Sequence, residues 1–523
     1  MLDTHPKTVP GLLAHAADQW AEREFLRFAD GSLTFAEAHE SAQSVAKGLI
    51  ARGLEPGDRV AIMLPNIAAW PITWLGVLSA GLVAVPINAT YREADLAHII
   101  GDARPRLIVA TPAFHEVIRG ALVQVQNADR LVVAPDELCA DSDAAEVRPV
   151  AEDALANLQY TSGTTGFPKA CMLGHDYWLE LGALAARLAG VTATDVTLTS
   201  QPFSYIDPMW NTIMALTTGI PLVVLPRFSA SGFMQSVREH RVTTLYLLGT
   251  MPALLLQQPP TLEDRDNDLR LVWCSAIPPR RHAELEARWG ALWREAYGLT
   301  ESGVDLYVPE SDSASVGSGV LGIPAPGKSI RILSADGRHV AGEGTGELLI
   351  SGTPMMRGYW HRPDETSKTL RDGWLHSGDL VHRDAAGSIR LVGRSKDMIR
   401  RGGENIAAAE VEAALMSDAS VRVAAVIPQP DELFGEEVKA VVILNEDMAP
   451  SEEVARSIVG RLSTQIARFK LPRFVEFAQE LPMTPSERVA KGALTSRPST
   501  GPTFDLRDDS MTTTRGGATW PTT

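Results

Sequence analysis

The apolar positions of this chain fall into short, mostly apolar runs, separated by segments with helical spacing. Arg59–Leu64, Leu82–Pro86, Ile220–Leu225, Thr243–Leu248 and Leu269–Cys274 are runs of this kind. Their length and β-branched content predict strands buried on both faces. Ser41–Arg52 has amphipathic spacing and predicts a helix ending near Gly53. Strands alternating with helices predict a mainly parallel sheet covered by helices. The uncharged stretch Ala68–Ile87 is long enough to raise the question of a membrane span. Pro71, Gly76, Ser79, Gly81 and Pro86 interrupt it, so it predicts a buried helix followed by a buried strand.

The pattern changes along the chain. Residues 330–395 are rich in Gly and in short alternating runs such as Gly346–Gly352, which predicts a small antiparallel barrel. Residues 396–497 return to an α/β pattern and predict a separate lobe. Residues 498–523 are rich in Thr, Pro, Gly and Asp and predict a disordered tail. The fold class is α/β: a large N-terminal domain, residues 1–395, of two helix-covered sheets plus a small β-barrel, and a small mobile C-terminal lobe.

Composition adds exclusions. A chain of 523 residues exceeds one ordinary core. With 45% hydrophobic and 21% charged residues, it has an ordinary globular make-up. The net charge of −16 argues against nucleic acid or an anionic membrane as main partner. Cys139, Cys171 and Cys274 are too few and too scattered for a disulfide framework or a zinc site. The N-terminus lacks the basic and apolar regions of a secretion signal, so a cytoplasmic enzyme is expected. Oligomeric state stays open.

The densest chemistry lies at Tyr160–Lys169. Gly163 and Gly166 let the backbone turn tightly and bring N–H groups close to an anion. Thr161, Ser162, Thr164 and Thr165 add hydroxyl donors, and Lys169 adds a fixed charge. The apolar run Ala154–Tyr160 reads as the strand feeding this loop. No G-x-x-x-x-G-K-[ST] pattern can be laid on it, so it is a phosphate loop of another kind.

This loop resembles that of the acyl-adenylate-forming superfamily, which includes acyl-CoA ligases, peptide-synthetase adenylation domains and luciferases. Further elements follow in the family's order. Tyr297-Gly-Leu-Thr-Glu301 resembles Y-G-x-T-E, and Gly373–Asp379 resembles G-W-x-x-T-G-D. Gly393-Arg-Ser-Lys-Asp397 resembles the hinge element G-R-x-K-D. Gly403–Ile406 with Glu410–Glu412 resembles the start of the family's small domain. The resemblance spans about residues 10 to 495, closest to ligases of the carnitine type.

The resemblance implies binding of ATP with Mg²⁺, with CoA as acceptor. It assigns Thr300 to the α-phosphate and Glu301 to Mg²⁺, for which a carboxylate is a fitting hard ligand. It sets Tyr297 and the turn at Ala276 beside adenine, Asp379 on the ribose hydroxyls, and Arg394 on ribose or phosphate. Lys396 falls at the hinge, about which the small lobe turns between two half-reactions. The acyl pocket is expected near Tyr205–Trp210, Leu247–Met251, Ala276 and Tyr297–Gly303.

Three places depart from the family pattern. Leu481–Lys491 resembles L-P-x-T-x-x-G-K-x-x-K, but Glu487 replaces the Gly and Arg488 the catalytic Lys. Arg488 keeps the charge in a longer, planar group, which is not a conservative exchange. Tyr205 stands at the His of a P-x-F-H element, and Ser275-Ala-Ile-Pro278 replaces G-G-A-P.

Three function classes follow. The first is an acid–thiol ligase, making acyl-AMP and then acyl-CoA. The second is an adenylating enzyme that activates a non-carboxylate acid such as nitrite, to diazotise an aryl amine. The third is a binding protein that keeps the fold without catalysis.

Overall fold

The computed structural model describes residues 6–125, 131–139, 145–161, 168–248, 251–394, 398–401, 404–431, 434–445, 448–463, 465–466, 468–483 and 489–507. The chain divides into two compact units. The larger comprises 1–377, 381–391 and 485–487; the smaller comprises 378–380, 392–484 and 488–523.

The larger unit holds the two expected helix-covered sheets. One has nine strands, in the order 323–324, 303–307, 292–299, 271–275, 244–248, 197–199, 222–224, 24–28 and 31–34. Its centre is parallel, and its margins are antiparallel hairpin strands. The other has six strands, ordered 131–133, 107–110, 59–63, 83–86, 155–161 and 169–174. Leu155–Thr161 and Lys169–Gly174 pair antiparallel, with Thr161 opposite Lys169. The hydroxyl-rich loop therefore joins two strands of a hairpin, whereas a P-loop leads from strand to helix.

Packing fixes the strand that feeds this loop. Asn157 is fully buried, and its Oδ1 accepts from Trp74 Nε1 at 3.0 Å and Trp178 Nε1 at 3.1 Å. One amide thus satisfies two buried indoles and ties helices Ala69–Ser79 and His175–Leu188 to the strand. Ala68–Ile87 forms the expected buried helix and the strand Val83–Pro86. A side chain at Gly76 would collide with Val45, 2.5 Å away, so its absence lets two helices cross closely. The helix expected from Ser41 starts earlier, at Phe35, because Thr34 and Glu37 form a reciprocal capping box.

Residues expected to close into a barrel form a five-stranded sheet: 328–333, 344–352, 374–383 and 370–371, with 389–394 beside 374–383. The pairings among the described residues do not close it.

The smaller unit contains a six-stranded sheet with helices Ala408–Met416, Glu452–Leu462 and Lys491–Ser496. Its core gathers Ile399, Ile406, Val411, Leu415, Val438, Ile458 and Val475. Strand Thr503–Asp505 pairs with Phe474–Phe477, and Asp505 binds Arg473 at 2.7 Å. The expectation of disorder from residue 498 onward therefore fails for this strand. The neighbouring sheet edge, which the tail's composition does not reveal, supplies its hydrogen bonds. Among the described residues no helix is long and apolar enough to cross a membrane.

Candidate functional site

Lys169 opens its strand directly after the hydroxyl-rich loop. Its side chain is mostly buried, and Nζ lies 2.5 Å from Glu365 Oε2 and 4.7 Å from the centre of the Tyr359 ring. The Tyr359 hydroxyl donates to Glu301 Oε1 at 2.8 Å. Lys169 and Glu301, 132 positions apart in sequence, thus meet through one aromatic ring. Burial, followed by the Glu301 charge, drives the Tyr359 hydroxyl far above its ordinary pKa and keeps it a donor.

Both ends of the loop are clamped by one charge chain. Tyr160 donates to Asp102 Oδ2 at 2.7 Å. Arg362 approaches Asp102 Oδ1 at 3.2 Å and Glu365 Oε1 at 3.9 Å. Glu365, on helix Pro363–Thr369, reaches Lys169 and completes the chain. His98 Nε2 lies 2.9 Å from the Pro168 carbonyl oxygen.

Thr300 and Glu301 sit in the turn between strands Leu292–Leu299 and Gly303–Tyr307. Gly303 closes it at φ +74, a conformation that favours glycine. The Tyr177 hydroxyl donates to the Thr300 carbonyl at 2.9 Å, and Met356 N–H donates to the Glu301 carbonyl at 2.7 Å. Lys328 Nζ donates to the Ser302 carbonyl at 2.6 Å.

Ala276, expected beside adenine, has φ +69. This is the left-handed region, where a Cβ is disfavoured. The departure from a family glycine therefore falls on a conformation that glycine suits. Glu295 holds the turn: its carboxylate accepts from Ala276 N–H at 2.7 Å and Ile277 N–H at 3.0 Å. Burial pushes the Glu295 carboxyl up to about 7, against the lowering effect of those two N–H groups.

Asp207 Oδ1 accepts from Trp210 Nε1 at 3.2 Å, and Trp210 meets the Tyr246 ring edge-on at 5.6 Å. The Tyr246 hydroxyl lies 2.7 Å from Ser275 Oγ, and Ser275 donates to the Ala296 carbonyl. Asn88 Nδ2 reaches Ser204 Oγ at 3.1 Å and the Tyr205 hydroxyl at 3.4 Å. Leu247 and Met251 depart from expectation. Both are buried within an apolar cluster with Leu198, Val272 and Trp289. Tyr297 is buried on its strand.

Ser162, Gly163, Thr164, Thr165, Gly166, Lys396 and Arg488 lie outside the described residues. Thr161 Oγ1 lies 3.5 Å from the Lys169 carbonyl oxygen. Asp379 is buried on strand Trp374–Arg383, and Arg394 ends strand Ile389–Arg394. In the smaller unit Lys491 Nζ meets Glu412 Oε1 at 2.7 Å, and the same oxygen accepts from Val426 N–H at 2.7 Å. Lys491 thus has a structural partner within its own unit.

Tyr359, Glu365, Tyr177, Lys328 and Glu295 were not singled out by sequence reasoning. Only their neighbours in space mark them, and no local spacing does.

Comparison with known proteins gives a consistent picture. Residues 13–360 match the family described as AMP-binding enzyme, and residues 410–488 match the AMP-binding enzyme C-terminal domain. The chain is 33% identical to a sulfoacetate–CoA ligase of Cupriavidus necator, over 92% of this chain and 96% of that one. It is 33% identical to a feruloyl-CoA synthase of an Amycolatopsis species, over 90% and 95%. The structure of o-succinylbenzoate CoA synthetase from Bacillus subtilis with ATP and magnesium superimposes with a TM-score of 0.82. Identity there is 26%, over 92% of this chain and 99% of that one. These relatives do not single out a carnitine-ligase branch.

Proposed function

The chain belongs to the AMP-binding enzyme family as an AMP-forming CoA ligase, and we propose that it activates a carboxylic acid as its acyl adenylate before transfer to CoA. In the first half-reaction a carboxylate oxygen attacks the α-phosphorus of ATP. The bond from that phosphorus to the bridging oxygen breaks, and pyrophosphate leaves. In the second, the CoA sulfur attacks the acyl carbon, the thiol proton is lost to solvent, and AMP leaves with the acyl–oxygen bond electrons.

The observation that carries this reading is the Lys169–Tyr359–Glu301 arrangement. It sets a cation over the face of one ring and a carboxylate on that ring's hydroxyl, with the cation directly following the hydroxyl-rich segment in sequence. Lys169 neutralises phosphate charge, and Thr300 donates to the α-phosphate. Among the described residues no group of three or more His, Cys, Asp or Glu could hold a metal. A lone oriented carboxylate is a donor set that suits Mg²⁺, which keeps waters and takes most of its ligands from phosphates. When bound, Mg²⁺ supplies charge neutralisation on the triphosphate. Tyr359 directs the Glu301 carboxylate toward that role. Asp379 serves the ribose hydroxyls, Tyr297 and Ala276 flank adenine, and Arg394 reaches ribose or phosphate. Arg488 grips the acid and α-phosphate, and Lys396 is the pivot between the half-reactions.

The wall of Trp210, Tyr246 and Ser275 faces the acid's organic part. Pyrophosphate release tests the reading, measured over a panel of aliphatic and aryl acids with and without CoA. Release that needs an acid, with thioester formed only when CoA is present, is expected. Release with nitrite and an aryl amine, and with none of the acids, overturns it.

A further inference from the structure

Three consecutive carbonyl oxygens in the Thr300–Ser302 turn accept hydrogen bonds from three separate elements. Tyr177 reaches the first from helix His175–Leu188. The Met356 amide reaches the second from the loop after strand Gly344–Gly352. Lys328 reaches the third from the start of strand Lys328–Leu333.

Lys328 is the unusual member. Its side chain has 0% exposure, and its ammonium also donates to the Pro354 carbonyl. Asp305, equally buried, lies 3.3 Å away, and its other oxygen accepts from Ser302 Oγ at 2.6 Å. Lysine is almost never fully buried without such partners. Stability alone does not explain the pair, because well-packed apolar residues often replace a buried ion pair at no loss. An apolar side chain cannot, however, donate to carbonyls of two different loops. Lys328 cross-links the turn at Ser302 to the segment at Pro354. Two residues further on, that same segment donates to the Glu301 carbonyl. The backbone of Glu301 is thereby fastened on both sides, and the Tyr359 hydroxyl fixes its carboxylate.

We propose that Lys328 and Tyr177 are positioning residues for the nucleotide site, presenting Glu301 to the divalent cation and Thr300 to the α-phosphate. The proposal rests on the reading that Glu301 meets the cation. Two variants test it. Tyr177→Phe removes one hydroxyl from a buried ring. The double variant Lys328→Met with Asp305→Asn removes both buried charges together, so neither is left unpaired. The measured quantity is the gain in affinity for α,β-methylene-ATP when Mn²⁺ is added, together with the thermal midpoint.

Each variant is expected to lose about tenfold of that metal-dependent gain, the scale of one lost hydrogen bond. Affinity without metal should fall by a smaller factor, which reports the Thr300 contact to the α-phosphate alone. An unchanged gain in folded Tyr177→Phe and in the double variant overturns the proposal, even if their midpoints fall. If the double variant does not fold, Tyr177→Phe alone decides. Glu301→Gln serves as reference. If it keeps the full gain, the metal assignment falls and takes the proposal with it. If it loses the gain while the two positioning variants keep it, the proposal alone falls.

Discussion

The Tyr359 hydroxyl donates to the carboxylate of Glu301 across 2.8 Å, while the same ring carries the ammonium of Lys169 at 4.7 Å. One side chain therefore orients the acidic group and seats the basic one. Tyr359→Phe keeps the ring and removes the donor. Its adenylation rate should fall about tenfold, the loss of one hydrogen bond to a charged acceptor. Glu301→Gln should fall about a hundredfold, the scale of a lost electrostatic contact. Pyrophosphate release at varied Mg²⁺ checks both, and an unaltered Mg²⁺ requirement in Glu301→Gln removes the assignment.

Lys169 meets Glu365 at 2.5 Å, so the arriving triphosphate competes with a carboxylate for the same ammonium. Glu365→Gln removes the competitor and should lower KM for ATP several-fold with little change in kcat. Lys169→Met should raise KM and cut kcat together. Steady-state kinetics over ATP concentration separates the two. A higher KM in Glu365→Gln shows that the carboxylate serves to position Lys169 and does not compete for it.

Ala276 holds φ +69 where glycine would sit without strain. Relief of that conformation favours Ala276→Gly by about 1–2 kcal/mol, offset by the unfolded-state entropy of glycine, about 0.5–1 kcal/mol. A small net rise in stability is expected from urea unfolding. A clear loss shows that the methyl group makes packing contacts that outweigh its strain.

Glu295 gives a pH dependence of stability. Its carboxyl is raised to about 7 in the folded chain, from an ordinary value of 4.5. The folded state therefore binds the proton more tightly than the unfolded state does. The group's contribution is complete below 4.5 and is lost as pH rises through about 7. Its ceiling is on the order of 3 kcal/mol, at about 1.4 kcal/mol per tenfold in proton affinity. Glu295→Gln lacks this titration. Wild-type stability relative to the variant should decline from pH 5 to pH 7.5, and parallel pH curves contradict the assignment.

Lys491 pairs with Glu412 inside the smaller unit. Lys491→Ala should therefore act mainly on stability, by about 1 kcal/mol for a partly buried pair discounted for screening. Arg488→Ala should act on acid-dependent pyrophosphate exchange. A large loss of exchange in Lys491→Ala alone exchanges the two roles.

The linear chain by itself determined a good deal. Runs such as Arg59–Leu64 and Leu269–Cys274 announce buried parallel strands, because a strand covered on both faces has no polar side to show. The loop at Tyr160–Lys169 and the Thr300–Glu301 pair are legible because their chemistry lies within a few consecutive residues. Local signals also misled. The tail containing Thr503–Asp505 looks too polar to order itself, yet a neighbouring sheet edge supplies its hydrogen bonds. The start of the helix at Phe35 was set by a cap at Thr34 that lies before any apolar spacing begins. Tertiary structure alone decided the rest. Lys328 reads as an ordinary charged residue until Asp305 and two distant carbonyls surround it. Tyr359 becomes part of the site only when the fold closes 58 residues of chain to bring it to Glu301. Periodicity records which side of an element is buried. It holds no record of what lies across the gap, and the contacts that tie Glu301 to Tyr359 and the Ser302 turn to Lys328 cross it.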